Sequence, residues 1–456
     1  MSIPARCTFA LALCGLLPSL AAATPSPRTL AADSLDRATR AAPRTPAAFN
    51  ETTPSVEPSR IASGGVPGLS LHEIEALGPD AIKAVLTVRS IARTGTPPSA
   101  IDNDYTRLNL ALQSAAASST IELDGRFDWR EAFAAAAWAL GSDGVAGTGD
   151  DWSILPAPGR DNITVTAVGG LGTGQIVGPG DVASVDLEGV FYLSDGAFRG
   201  WSFRNLEITG FDLSIGMFCC GPGSTVTDYN DVQVTGNRIV PAADVPGTFP
   251  ALEGFQNIGI HLAFGRNQLV SGNTIELDGG VAGSGADASS MVGLQSNTSG
   301  GSAYDGLVIE NNTVRVLGAP AAVPTRVRGL WENSHAHDSD IRVRNNRVSS
   351  DSPGELATNA RFGFRITSHS STASTVEYRG NLASGMQVGY SWLDVTAPAT
   401  SARLRFEGNT AVRNGTGLRL PVAGSGPPRV AVHYNRIALN TVAGVDNATA
   451  VSAVDA

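Results

Sequence analysis

From residue 189 onward the chain repeats two landmarks, a glycine that opens a short apolar run and, further on, an asparagine. The glycines are Gly189, Gly216, Gly259, Gly293, Gly329, Gly363, Gly385, Gly417 and Gly444, each followed by an apolar residue: Val190, Met217, Ile260, Leu294, Leu330, Phe364, Met386, Leu418 and Val445. The asparagines are Asn237, Asn312, Asn346, Asn409 and Asn435, each flanked by alternating apolar positions, as in Ile341-Arg-Val343-Arg-Asn-Asn346-Arg-Val348. Periods of about 22 to 43 residues that hold short alternating runs, with no helical spacing, require a solenoid of β-coils. One coil cannot bury its apolar face alone, whereas stacked coils bury a continuous aliphatic column at a strand spacing of ~4.8 Å. The pattern predicts an all-β chain, a single right-handed parallel β-helix of about nine or more coils. Asparagine at a repeated corner tolerates left-handed geometry and can bond to the asparagine one coil away, so these residues read as scaffold.

Composition fits and narrows the partners. The 52 glycines suit a fold of many tight turns, and a formal net charge of -10 argues against nucleic acid or an anionic membrane as partner. Lys83 is the only lysine beside the arginines, the usage of a GC-rich bacterial genome. Residues 1–23 carry Arg6, an apolar run from Phe9 to Leu20 and Ala21-Ala22-Ala23, which together read as a secretory signal, so the product is expected to be secreted, outside the cell or in the periplasm. No other segment approaches ~20 unbroken apolar residues, so no membrane span is expected. Beyond the signal, the cysteines are the adjacent Cys219 and Cys220, which alternation sends to opposite faces as two thiols, a strained vicinal bridge being the alternative.

Residues 24–67 are rich in Pro, Ala, Ser and Thr without periodicity and read as a disordered leader. Residues 68–140 read as a helical N-terminal region and cap: Ser70-Leu-His-Glu73 is a capping box, Ala81 to Arg93 gives an amphipathic pattern, Asp104 to Ala115 forms a short helix with Leu108 and Leu112 on one face, and Thr120 to Phe127 is a strand. Residues 141–456 are then the β-helix. The Asp104-Tyr-Thr-Arg-Leu108-Asn-Leu-Ala-Leu112 helix leading into a strand that ends at Gly125-Arg-Phe127, with Arg130-Glu-Ala-Phe133 after it, resembles the opening segment of the pectate-lyase superfamily. The resemblance implies that this segment caps the N-terminal end of the β-helix. It carries no chemistry, because the superfamily holds lyases, hydrolases, epimerases, adhesins and spacers alike.

The catalytic motifs of polygalacturonases are missing. The Asp-Asp pair here is Asp150-Asp151, ahead of the coils, no Gly-His-Gly occurs, and Arg365-Ile-Thr lacks the lysine. Asp143 to Asp151 could hold Ca²⁺ or form a solvated turn. If the residue after each glycine points inward, the next points outward, which puts Phe218, His261, Gln295, Trp331, Arg365, Gln387 and Arg419 in one row, with Asn297, Asn333 and Thr367 beside it. Flat aromatic, guanidinium, amide and imidazole groups at coil spacing suit a groove for an acidic oligosaccharide, since Trp stacks on sugar faces and Arg forks onto carboxylates. An ordinary polar exterior is the alternative. Next to this row, parity turns Glu332 inward, where its carboxyl would stay protonated as a general acid; a strand that stopped at Trp331 would leave it solvated. His337 and Asp338 could supply a base, and Asp338 and Asp340 are candidate Ca²⁺ ligands. Two functions follow: a secreted, monomeric polysaccharide lyase acting on an acidic, uronate-containing polysaccharide, with Arg365 neutralising the carboxylate, or a non-catalytic adhesin-like protein that binds through the same face.

Overall fold

A computed structural model describes residues between 85 and 447, except 100–101, 131–159, 179–188, 195–197, 219–228, 244–255, 281–289, 298–302, 320–325, 336–338, 353–360, 370–373, 394–402 and 421–428. The signal, the leader, Ser70–Glu73, Asp143–Asp151, Cys219, Cys220, His337 and Asp338 lie outside the described residues. Among the described residues every strand pairing is parallel, and the strands form stacked sheets in which each strand pairs with its counterpart one coil away: the chain is a parallel β-helix. No helix among the described residues is long and apolar enough to cross a membrane.

Two inward columns come from the first and second sheets. Ile121, Val165, Phe203, Val234, Val270, Ile309, Val343, Tyr378 and Phe406 stand in successive register along the first. Phe127, Ile176, Ile208, Ile239, Ile275, Val314, Val348, Ala383 and Ala411 do so along the second. All are buried, so each period contributes two or three side chains to one unbroken apolar core. At the corner between these sheets the asparagines form a ladder. Asn346 donates from Nδ2 to Oδ1 of Asn381 at 3.0 Å and to the Ile309 carbonyl at 2.8 Å, while its Oδ1 accepts from the backbone N–H of Asn312 at 3.0 Å and from Asn312 Nδ2 at 2.9 Å. The motif runs from Asn237 through Asn273, Asn312, Asn346, Asn381 and Asn409 to Asn435. The left-handed position is the residue before each ladder asparagine, among them Gly236, Asn311, Asn345 and Gly408, and not the asparagine itself.

The glycine landmark has a different cause. A Cβ built on Gly293 would meet the carbonyl of Gly329 at 2.5 Å; on Gly329, that of Gly363 at 2.7 Å; and on Gly389, that of Gly417 at 2.7 Å. Each coil's backbone carbonyl fills the space a side chain would need, so only glycine fits. These glycines open the third sheet, whose strands are Gly189–Ser194, Leu213–Phe218, Gln256–Ala263, Ser290–Asn297, Arg326–His335, Arg361–His369, Val388–Leu393, Thr416–Leu420 and Ala443–Asn447. Ile260, Leu294, Leu330, Phe364 and Leu418 fill its column as the glycine pattern predicts, and Leu294, Leu330, Phe364 and Leu418 are each 1% exposed. In three coils the pattern misleads: the column residues are Phe191, Ile215 and Tyr390 rather than Val190, Met217 and Met386. Gly385 is a turn glycine with a φ of 68°, and the register glycine of that coil is Gly389.

At the N-terminal end the helix Asp104–Ser114 lays Leu108 and Leu112 on the first coils, with the Asn103 side chain accepting from Thr106 N–H. Asp104 is buried and ties this cap together, since its carboxylate accepts from the backbone N–H groups of Ile91 at 2.5 Å and Asp128 at 2.9 Å. Over the described residues 85–93 the expected helix does not form. Val85–Arg89 is instead a strand paired with Thr120–Asp124, and only Ile91–Thr94 is helical. Leu86 and Val88 alternate inward with β-branched neighbours, and pairing overrides the helical spacing. The β-pairing therefore reaches back to Val85.

Candidate functional site

The outer face of the third sheet is fixed by two stacked pairs. The Arg328 guanidinium lies 4.0 Å from the centroid of the Trp331 ring, and the Arg365 guanidinium lies 4.6 Å from that of Phe362. Positions 328, 331, 362 and 365 therefore share one face. Two of them three residues apart on one strand do so only because alternation breaks at the register glycine: Gly329 and Leu330 both turn inward, the glycine towards Val348. Register extends this face in two rows. One holds Ile258, Val292, Arg328, Phe362 and Val388; the other holds Gly216, His261, Gln295, Trp331, Arg365, Ser391, Arg419 and Asp446.

His261, Gln295, Trp331, Arg365 and Arg419 thus occupy the row the sequence assigns them. Two expected members do not. Gly216 takes the place expected for Phe218, and Ser391 that expected for Gln387. The Oε1 of Gln387 is 3.4 Å from the Arg361 N–H instead, because Gly389 and not Gly385 sets the register there. Asn297, Asn333 and Thr367 follow in register two positions on, and Asn297 is tied by its backbone to the Tyr304 hydroxyl. Asp340 lies on the first sheet, ion-paired to Arg342 at 2.8 Å, so it is not part of the row.

The row is not an open groove. His261 and Gln295 are 0% exposed, Trp331 and Arg328 3% and Arg365 5%. The physical reason lies in the neighbouring row, where Ile258, Val292, Phe362 and Val388 make the face largely apolar, and an apolar face is stable only under cover. At the partly exposed C-terminal end of the row Arg419 is ion-paired to Asp446, with Nε to Oδ2 at 3.1 Å. The His261 Nδ1–H donates to the Met217 carbonyl at 2.8 Å, and burial lowers the ring's pKa to about 4, so the ring is neutral at pH 7. Burial, and then the like charges of Arg365 and Arg326, push the Arg328 guanidinium well below its ordinary range. Arg328 escapes the sequence reading because strict alternation turns it inward. The glycine bulge, visible as Arg-Gly-Leu in the sequence, was the signal.

Glu332 sits on the opposite face. It belongs to the strand, is fully buried, and accepts a hydrogen bond from the Tyr378 hydroxyl inside the core. Burial raises its carboxyl pKa to about 7, although the bond from Tyr378 pulls the other way. Facing the core, it cannot meet a ligand on the outer row. Its consequence is a pH dependence of folding. Below about pH 4.5 the carboxyl is protonated in both the folded and unfolded chain; as pH rises to about 7 only the unfolded chain ionises, and stability falls by about 3 kcal/mol. His261 acts in the opposite sense, since the stability from its neutral ring is complete above about pH 6.5 and is lost as pH falls towards 4. Glu332→Gln should raise the urea midpoint at pH 8 and leave a curve that declines from pH 6.5 to 4. An unchanged pH profile would show that Glu332 ionises normally.

Among the described residues no group of three or more His, Cys, Asp and Glu side chains is placed to hold a metal ion. Comparison with protein-family models, with curated proteins and with solved structures finds no match.

Proposed function

We propose that this β-helix is an exported protein that recognises an acidic, uronate-containing polysaccharide through the outer face of its third sheet. The observation that carries this reading is the pair of guanidinium groups, Arg328 and Arg365, lying over the rings of Trp331 and Phe362, with the Gln295 amide in register with Trp331. An aromatic face holds a guanidinium in one plane and leaves its N–H edges for carboxylate oxygens. Trp331 accordingly serves as the platform for Arg328 rather than for a sugar ring. The apolar run from Phe9 to Leu20 supports export, and the cap-and-coil plan supports a relationship to pectate-lyase-like proteins.

The same geometry supports β-elimination as the reaction. With Arg365 paired to the carboxylate, the C5 proton becomes more acidic; a base removes it, its electron pair forms the C4–C5 double bond, and the C4–O bond breaks as the next sugar leaves. Glu332 faces the core and is no partner in this step; His337 and Asp338, which follow Trp331 in sequence, are the proposed base. The test mixes the protein with a panel of uronate polysaccharides, with and without Ca²⁺, and reads absorbance of the unsaturated product. Turnover on one of them, lost in Arg365→Ala with folding intact and kept in His261→Ala, establishes a lyase. Binding without turnover across the panel establishes the adhesin-like reading. Neither binding nor turnover overturns both.

A further inference from the structure

Arg328 and Gln295 lie on adjacent coils of the enclosed face. The Nε and Nη1 groups of Arg328 have no hydrogen-bond partner, and neither end of the Gln295 amide has one, although both side chains are buried. A buried guanidinium without a counter-charge and a buried amide without a partner each destabilise the empty protein, since desolvation is not offset by a bond. The two are close: Arg328 lies over the Trp331 ring, and Trp331 is the register partner of Gln295 one coil away, a step of ~4.8 Å. Ser391, whose Oγ also lacks a partner, is in register with Arg365 on the other side. These three residues offer one cation, one amide that both donates and accepts, and one hydroxyl, spread over about three coil steps of ~4.8 Å. Arg328 and Gln295, one coil step apart, match one sugar unit bearing an acid group and a free hydroxyl, and Ser391 lies beyond its reach.

We propose that Arg328 and Gln295 form an enclosed subsite for one acidic sugar unit, in which the guanidinium takes the acid group and the amide takes a hydroxyl of the same ring. This rests on the acidic-saccharide reading above and adds to it the anchoring residue and the division of labour. Arg328 is held in place by Trp331, so its forked N–H edge is oriented before the ligand arrives. Gln295 recognises hydroxyls whatever the ligand's charge, and should not distinguish an acidic sugar from its reduced counterpart.

The experiment uses the full chain and its Arg328→Met and Gln295→Leu variants. Binding of oligogalacturonate, oligoglucuronate and their carboxyl-reduced forms is followed by calorimetry, and the urea midpoint of each protein is measured alone and with acetate. Arg328→Met is expected to raise the urea midpoint of the unliganded protein, to weaken binding of the acidic oligomer by ~30-fold or more, and to abolish its advantage over the reduced form. Gln295→Leu should weaken both forms equally, by about 2- to 10-fold. A lowered urea midpoint in Arg328→Met would make the arginine a structural residue and overturn the subsite. Equal binding of the acidic oligomer by wild type and Arg328→Met would also overturn it while leaving the polysaccharide reading intact. If no saccharide binds but acetate stabilises wild type and not Arg328→Met, the anion subsite stands and the polysaccharide reading falls.

Discussion

Gly329→Ala is expected to prevent the chain from folding into soluble protein, although it adds a single methyl group. The added Cβ would run into the Val348 side chain and lie 2.7 Å from the Gly363 carbonyl. Neither obstacle is the flexible end of a long side chain. The carbonyl belongs to the backbone of the next coil, where Gly363 is under the same restriction from Gly389, so a shift at one coil is refused by the next. Overpacking of this kind costs several kcal/mol, a large part of the ~5–15 kcal/mol that holds a domain folded. Gly408 is the control, because its φ is 63° and nothing lies within 4 Å of an added Cβ. Gly408→Asn should fold with a urea midpoint close to wild type, since asparagine adopts that backbone conformation readily. Soluble, cooperatively unfolding Gly329→Ala protein would show that the coils can slide apart locally.

Asn346→Leu should be nearly as damaging. The change keeps the volume but removes four hydrogen bonds, and it leaves the Ile309 carbonyl and the Asn312 N–H buried without those partners. Each such group costs about 1–3 kcal/mol, so a loss of several kcal/mol in urea unfolding is expected. Asn435→Leu, at the half-buried end of the same ladder, should cost clearly less because water can replace what is lost there. Equal losses at both positions would mean that the interior of the ladder is no drier than its end.

The coils are legible in the sequence because each landmark answers a constraint confined to one residue. A corner that needs a side-chain amide shows Asn; a contact that admits no Cβ shows Gly. Asn273 hides from the pattern because the position five residues before it is Gln268, a polar side chain buried to cap the carbonyls of Tyr229, Ala263 and Phe264. Asn381 belongs to the ladder as well, with Val376 and Tyr378 ahead of it. Counting alternately from each glycine placed Trp331, Arg365, Gln295 and His261 correctly, because one residue beyond the bulge the strands run regularly. It failed at Arg328, on the near side of the bulge, and at Gln387, where Gly385 and Gly389 compete for the same role. The enclosure of the row was out of reach for a further reason: it depends on Ile258, Val292, Phe362 and Val388 from different coils lining up, and no single period contains that information.

The asparagine ladder also gives the molecule a direction. In every rung the Nδ2 group faces the next coil towards the C-terminus and the Oδ1 faces the coil before, so the side-chain amide dipoles all point along one axis and reinforce one another. The two ends of the stack are therefore chemically unlike. At the Asn237 end the leading oxygen is already met by the backbone N–H of Leu206, whereas at the other end the last amide of the ladder, Asn435 Nδ2, is a donor with one N–H on the Phe406 carbonyl of the coil before. Growth of the column by one more turn at that end requires an incoming acceptor in register, and an amide presented the wrong way round would meet it donor to donor.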